Sequence, residues 1–137
     1  MNSTRIHKTG QRPGIFLAPG EGRRYKKGGQ TAIFKADGVE TGGVYSVSEW
    51  SLEPNTGGLG IHTNPDDHVL YILDGVLTVF LDGKWHRAEK GAFVLIAGGV
   101  THDFENRETS QVNFLNFNVP GGFESGIAHI FAKAGSK

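Results

Sequence analysis

Short apolar runs, many of them alternating with polar residues, cover the middle of the chain and end at glycine-rich turns. A period of two, with many β-branched and aromatic residues, is typical of half-buried β-strands. An Asp82-Gly83 pair between two such runs is typical of a tight hairpin. The pattern predicts strands over residues 31–36, 44–52, 69–73, 76–81, 84–88, 92–97, 100–105 and 111–119.

The two ends of the chain follow other patterns. Residues 1–30 are polar, apart from an apolar segment at residues 15–18, which we interpret as a short strand that docks on the barrel or on a second subunit. In the tail, apolar residues recur at steps of three and four over residues 123–134, which predicts an amphipathic helix. We therefore divide the chain into an N-terminal arm (1–30), a β-barrel (31–122) and a helical cap and tail (123–137).

Composition narrows the class of protein. The length of 137 residues fits one domain with a real core, and 21 spread-out glycines favour an all-β sandwich or barrel. The 14 basic and 14 acidic residues balance, so we expect no nucleic-acid partner. The absence of cysteine excludes disulfides and thiolate chemistry. With no apolar run long enough for a bilayer and no signal-peptide core, we expect a soluble, cytoplasmic protein without a membrane partner.

Three of the six histidines occupy similar strand-and-turn settings, namely His62, His68 and His102. Because alternate strand residues share a face, an inward His68 takes Leu70 with it, an inward His62 takes Asn64, and an inward His102 takes Phe104. Mostly apolar walls with a few polar groups are typical of small-molecule sites. We therefore predict Asn64, Leu70 and Phe104 as ligand-binding residues beside the three histidines.

The spacing of these residues resembles that of the single-domain cupins, and flanking phrases resemble the quercetin-dioxygenase-like branch. The first cupin motif, G-x5-H-x-H-x3,4-E-x6-G, ends here at Gly75. The second, G-x5-P-x-G-x2-H-x3-N, has Ala97 in place of its proline. The matched motif positions are His62, Asn64, His68, Gly75, Gly91, Gly99, His102 and Asn106. The resemblance implies an all-β fold, the cupin jelly-roll or double-stranded β-helix barrel, with a short C-terminal helix.

The resemblance also implies a metal centre. Metal-dependent cupins bind one Fe, Mn, Ni, Cu or Zn ion through two histidines and a glutamate of the first motif and the histidine of the second. In this chain His68 replaces the glutamate and Asn64 replaces the second histidine. The implied ligands of one divalent transition metal are therefore His62, His68 and His102, a set that suits these metals. The implied activity is that of a dioxygenase-like, isomerase or cyclase enzyme on a small aromatic or polyketide-like substrate.

Two alternatives stay open at this stage. The loss of the glutamate favours a metal-free cupin that binds a sugar or an aromatic ligand without catalysis. A third possibility is metal-independent isomerase or cyclase chemistry, with His68 as catalytic acid or base together with His102. The expected partners are a small-molecule ligand or substrate and a second copy of the chain in a homodimer.

The remaining candidates are weaker. We interpret His7, His86 and His129 as surface residues, since they lie in the arm, an exposed hairpin strand and the tail. Asp66 and Asp67 could supply the missing carboxylate, but the Asn-Pro-Asp-Asp sequence is more typical of a solvated turn, so Asp67 is only a minor candidate as a ligand.

Overall fold

Antiparallel strands make up most of residues 12–134, the part of the chain that the computed structural model describes. In chain order the strands are β1 (Arg23–Lys27), β2 (Gln30–Ala36), β3 (Ser46–Leu52), β4 (Asp67–Asp74), β5 (Val76–Leu81), β6 (Lys84–Glu89), β7 (Phe93–Ile96), β8 (Asp103–Glu105) and β9 (Val112–Val119). The helices are α1 (Gly38–Thr41) and α2 (Ile127–Ala134), and a 3-10 turn at Phe123–Gly126 leads into α2.

The strands form two sheets. The larger has the order β1-β2-β3-β9-β4-β7, and the smaller has the order β6-β5-β8. Neighbouring strands pair antiparallel throughout both sheets. The all-β, jelly-roll-type fold and the C-terminal helix that the sequence predicts are therefore confirmed.

The core lies between the sheets and is closed at one side by the C-terminal helix. Strand β4 shows the alternation clearly, because His68, Leu70 and Ile72 are buried while Asp67 and Tyr71 are exposed. Side chains of β2, β3, β5, β9 and α2 complete this core: Ala32, Phe34, Trp50, Leu52, Leu77, Val79, Val112, Phe114, Ile127 and Phe131 are all buried. The inward orientation predicted for His68 with Leu70 is confirmed.

Three local predictions differ from the structure. The apolar segment at residues 15–18 is not a strand, and Phe16 is 86% exposed. The strand of this region is instead the polar β1, because the Gly28-Gly29 turn folds it back onto β2 as a hairpin. Helix α1 occupies a stretch that the sequence predicts as a loop.

The aromatic core also differs in membership. Phe93 is large enough to fill a small barrel, but it is 65% exposed because it points away from the barrel interior on β7. Phe34 and Phe131 fill the core instead.

Among the described residues, no helix has the length and hydropathy needed to cross a membrane. The cytoplasmic location stays a prediction.

Candidate functional site

The backbone brings the three motif histidines to one place between the two sheets. His62 and His102 face each other in an isolated bridge, in which each residue's N–H donates to the other's carbonyl, at 3.0 and 2.8 Å. His68 lies near the start of β4. The ring centre of His102 is 4.5 Å from that of His62 and 5.6 Å from that of His68.

A cavity of about 50 Å³ lies beside these rings. Its polar lining includes Asn64, Asp103 and Asn116, and its apolar lining consists mainly of aromatic side chains and Ile130 of the C-terminal helix. The full lining is Gln30, Trp50, Gly58, Leu59, His62, Asn64, His68, His102, Asp103, Phe104, Phe114, Asn116, Phe123 and Ile130. Of the predicted ligand-binding residues, Asn64 and Phe104 therefore line the cavity, whereas Leu70 is buried in the core and is not part of the lining.

Backbone carbonyls determine which ring nitrogen of two histidines carries the proton. Nδ1 of His62 is 2.6 Å from the carbonyl oxygen of Gly60, and Nδ1 of His102 is 2.9 Å from that of Val100. A carbonyl only accepts, so in both rings Nδ1–H must be the donor. In the neutral imidazole the lone pair then lies on Nε2, the atom that ligates a metal or accepts a proton.

Burial disfavours the protonated, charged form of the His68 and His102 imidazoles. The pKa of His68 lies below the ordinary imidazole value mainly because burial disfavours its charged form, although the Asp66 carboxylate partly opposes this. The pKa of His102 is also lowered by burial, with the hydrogen bond to the Val100 carbonyl acting in the opposite direction. Both side chains are thus held as neutral rings near pH 7, which is the state that metal ligation and general-base chemistry require.

Asn64 connects the two buried rings. Its Nδ2 lies 3.2 Å from Nε2 of His68 and 3.5 Å from Nε2 of His102. An amide NH₂ has two donors, so it can donate to both lone pairs at once. The residue that replaces the second motif histidine is therefore part of the site, as a hydrogen-bond donor.

A row of polar side chains behind His68 was not found from the sequence. Nδ2 of Asn118 donates to Oδ2 of Asp66 at 2.8 Å, and Nδ2 of Asn116 donates to Oδ1 of Asn118 at the same distance. The same carboxylate oxygen is 3.5 Å from Nε2 of His68. Alternation along β9 puts Asn116 and Asn118 on the inner face, and asparagines at buried positions of a strand are the signal that could have identified them.

Asp66, and not Asp67, is therefore the carboxylate beside the site. Asp67 instead accepts a hydrogen bond from the N–H of Gly98 through Oδ1, at 2.8 Å. That contact joins the turn before β4 to the turn after β7, so its role is structural.

Asp103 is a second carboxylate that the motif counting missed. It follows His102 directly, is only 5% exposed and lines the cavity. Its Oδ1 accepts a hydrogen bond from the N–H of Phe104 at 2.8 Å. Burial raises the pKa of this carboxyl group, while the Phe104 N–H acts to lower it. Acidic residues with perturbed pKa values in a cavity are candidates for functional roles.

The other motif matches have structural explanations. Nδ2 of Asn106 lies within hydrogen-bond distance of the carbonyl oxygens of Leu52, Glu53 and Ser110, so this buried amide ties the end of β3 to the loop before β9. Gly91 has φ of +88°, in the left-handed region that a side chain disfavours. Of the histidines predicted to be on the surface, His86 and His129 are exposed, and His7 lies outside the described residues.

The side chains that line the cavity are of a type that binds metal ions, but their spacing is not that of a metal site. Three imidazoles line one cavity, and two of them have Nε2 lone pairs fixed by backbone hydrogen bonds, as is common for metal-ligating histidines. Across residues 12–134, however, no group of three or more His, Cys, Asp or Glu side chains has the spacing of a metal site. The assignment of His62, His68 and His102 as ligands stays a prediction.

Comparison with known proteins agrees with this fold and these motifs. The family model described as Cupin domain matches residues 48–118, just over half of the chain. The chain therefore belongs to the cupin family.

Individual relatives are more distant. The chain is 28% identical over 126 residues to "Quercetin 2,3-dioxygenase" of Bacillus subtilis (strain 168), an alignment that covers 88% of this chain and 34% of the dioxygenase. This chain thus spans about one third of the length of that curated relative.

Among solved structures, two superpose on this chain with a TM-score of 0.70. An RmlC-like cupin from Shewanella frigidimarina NCIMB 400 is 13% identical and aligns over 82% of this chain and 96% of its own. KdgF from a Halomonas species is 15% identical and aligns over 81% of this chain and 99% of its own. At these identities the likeness shows the fold alone.

Proposed function

We propose that this cupin binds one divalent transition metal, from among Fe, Mn, Ni, Cu and Zn, and acts on a small aromatic or polyketide-like molecule, with dioxygenase-like, isomerase or cyclase chemistry. The observation that carries the proposal is the fixed Nδ1–H tautomer of His62 and His102, which leaves an Nε2 lone pair on each ring beside one cavity. The similarity to a quercetin dioxygenase supports the same class of chemistry.

His62, His68 and His102 would hold the metal. When bound, the metal would polarise a substrate oxygen or activate dioxygen. The missing glutamate removes one negative charge, and the Asp66 carboxylate beside His68 partly compensates for it. In this role the negative charge of Asp66 increases the basicity of the His68 imidazole, because it acts to raise the pKa of that ring.

Other residues of the cavity would bind and orient the substrate. Trp50 and Phe114 stack at 6.5 Å with an interplanar angle of 12°, and Phe104 meets Phe114 edge-on at 5.4 Å. These walls favour a flat, apolar molecule and exclude water. Because the cavity measures only about 50 Å³, and a cavity that holds benzene measures about 150 Å³, a substrate with even one ring would require Phe123 and Ile130 of the C-terminal cap to move.

The proposal is tested by titrating each of the five metals into chelator-treated protein in a calorimeter. We expect one site per chain for at least one metal, with affinity reduced about tenfold or more in His62→Ala, His68→Ala and His102→Ala. His86→Ala, which removes an exposed imidazole outside the cavity, is the matched control and should bind normally. Affinity should also decrease as the pH is lowered through about 6, because protonated imidazole does not ligate.

If none of the five metals binds, the proposal is wrong and the metal-free, ligand-binding function is favoured. If metal binds equally well to the three histidine variants, the site lies elsewhere in the chain.

A further inference from the structure

Among residues 12–134, the wall of the cavity contains a buried side-chain oxygen without a hydrogen-bond partner. Asn116 is 3% exposed and lines the cavity, and its Oδ1 forms no hydrogen bond with any described group. The Asn116 side chain acts on the His68 ring to raise its pKa, although its Oδ1 is left without a hydrogen-bond partner. Buried polar atoms are nearly always paired, so an unpaired acceptor in a cavity indicates a ligand that supplies the donor.

The orientation of the Asn116 amide is fixed by the Asp66 carboxylate, which acts through the amide of Asn118. The Asp66 carboxylate only accepts, so the Asn118 amide must turn its Nδ2 toward Asp66, as the 2.8 Å contact has it. Oδ1 of Asn118 then faces Asn116 and accepts from its Nδ2. Oδ1 of Asn116 is consequently the end of this amide that has no partner. Rotating both amides would bring the Asn118 oxygen against the carboxylate, which is unfavourable.

The surroundings of the oxygen define the ligand further. No lysine or arginine is among the described residues that line the cavity, and the other polar walls are imidazoles, amides and the Asp103 carboxyl group. Aromatic rings of Trp50, Phe104, Phe114 and Phe123 form most of the remaining wall. A ligand that satisfies both features has a flat apolar body and an O–H or N–H donor.

We propose that Asn116 determines ligand specificity by accepting a hydrogen bond from an O–H or N–H group of a small ring-shaped ligand, and that Asp66 positions Asn116 through Asn118. The inference rests on the proposed function for the identity of the site and not on the presence of a metal. A ligand without the donor leaves the Asn116 oxygen desolvated and unpaired, and sites of this kind reject such analogues strongly.

The test compares three single-ring probes of nearly equal size. Phenol supplies an O–H donor, aniline supplies N–H donors, and toluene supplies neither. Dissociation constants are measured by ligand-observed NMR on chelator-treated protein. We expect phenol or aniline to bind about tenfold or more tightly than toluene, although toluene is the most apolar of the three. Whichever of the two binds better identifies the donor group.

Three variants separate recognition from structure. The measured quantity is the ratio of the toluene dissociation constant to that of the better donor probe, phenol or aniline. In Asn116→Leu, which removes the oxygen and keeps a side chain of similar size, this ratio should decrease to about one. In Asp66→Asn the ratio should decrease while the toluene constant stays unchanged, a result that general loosening of the fold would not produce. Asn113→Leu, on the outward face of the same strand, should keep the wild-type ratio. If Asn116→Leu does not fold, Asn116→Ser and Asp66→Asn carry the test.

A wild-type ratio near one, a ratio that survives the Asn116 substitution, or no binding of any probe at millimolar concentration overturns the inference. Since the probes are measured without metal, a failed metal titration with a retained donor preference overturns only the proposed function. The reverse result overturns only the inference about Asn116.

Discussion

Burial of His68 and His102 links the protonation of the site to the stability of the protein. The pKa values of both rings lie below 6.5 in the folded chain, mainly because burial disfavours the charged imidazole. Just below pH 6.5 the unfolded chain therefore binds more protons than the folded chain, and stability decreases as the pH is lowered. His62, Asp66 and Asp103 are the other titratable groups that act on these rings.

We predict that the free energy of unfolding of chelator-treated protein decreases between pH 7 and pH 5. Denaturant unfolding at a series of pH values measures it. The decrease should be smaller in His68→Gln and in His102→Gln, and unchanged in His86→Gln, whose side chain is exposed. A wild-type profile that is flat over this range would contradict the neutral, buried state of the two rings.

The ionisation of Asp103 has the opposite effect on the pH dependence of stability. Burial raises its pKa in the folded chain above the unfolded value of 3.8. The folded chain therefore binds more protons above pH 3.8, so stability decreases as the pH rises through this window, and the ionised carboxylate is unfavourable at neutral pH.

We accordingly expect Asp103→Asn to increase the free energy of unfolding at pH 7 by roughly 1 kcal/mol, with no gain near pH 3. The amide oxygen still accepts from the N–H of Phe104, which keeps the local turn. Chemical denaturation at the two pH values provides the measurement. Destabilisation at pH 7 would mean that the carboxylate has a stabilising partner when ionised.

At the scale of elements, the C-terminal segment covers the cavity and is attached at its beginning by one carboxylate. Asp37 accepts hydrogen bonds from the N–H groups of Gly122 and Glu124, at 2.6 and 2.8 Å. From this point Phe123 reaches the His68 ring at 5.5 Å, edge to face, and Ile130 of α2 lines the cavity. The attachment at Asp37 therefore determines how firmly the cap closes the site.

We predict that Asp37→Ala destabilises the protein by about 1–3 kcal/mol, because two backbone donors lose their acceptor. The amides of Gly122 and Glu124 should exchange hydrogen faster, as measured by residue-resolved exchange. Asp74→Ala, at an exposed position of β4, is the matched control. Unchanged exchange at the two amides in Asp37→Ala would show that other contacts hold the cap, such as the ion pair between Arg23 and Glu124.

The sequence correctly predicted strands in which alternate residues are buried. The alternation of β4 was predictable because His68, Leu70 and Ile72 must share the core face. The strand at residues 15–18 was predicted wrongly because apolar content alone does not supply a pairing partner, whereas the Gly28-Gly29 turn gives one to the polar β1. The sequence offered Asp66 as a possible carboxylate but could not assign Asn116, since the role of both depends on a contact between β9 and the turn before β4.

At the scale of the whole molecule, exposed apolar side chains of β4 and β7 favour the predicted homodimer. Tyr71 pairs across the strands with Phe93, and Leu95 of β7 is also exposed. Strand β7 is at the edge of the larger sheet. Contiguous exposed apolar surface at such a position is typical of a protein interface, and a second copy of the chain is the partner that we propose.

We expect sedimentation velocity at micromolar concentration to show a dimer, and Phe93→Glu to shift it toward monomer. Val39→Glu, at an exposed apolar position on α1, is the control and should leave the dimer intact. A wild-type protein that stays monomeric at all concentrations would contradict the homodimer. Dissociation by the Val39 substitution alone would place the interface elsewhere.

The central claim is that three imidazoles beside one cavity bind a transition metal although the motif glutamate is missing. The most direct test is elemental analysis of the protein purified without chelators, in parallel with His102→Ala. We predict close to one Fe, Mn, Ni, Cu or Zn per wild-type chain and a large loss in the variant. Negligible metal in the wild-type protein, or equal metal in both, would contradict the claim.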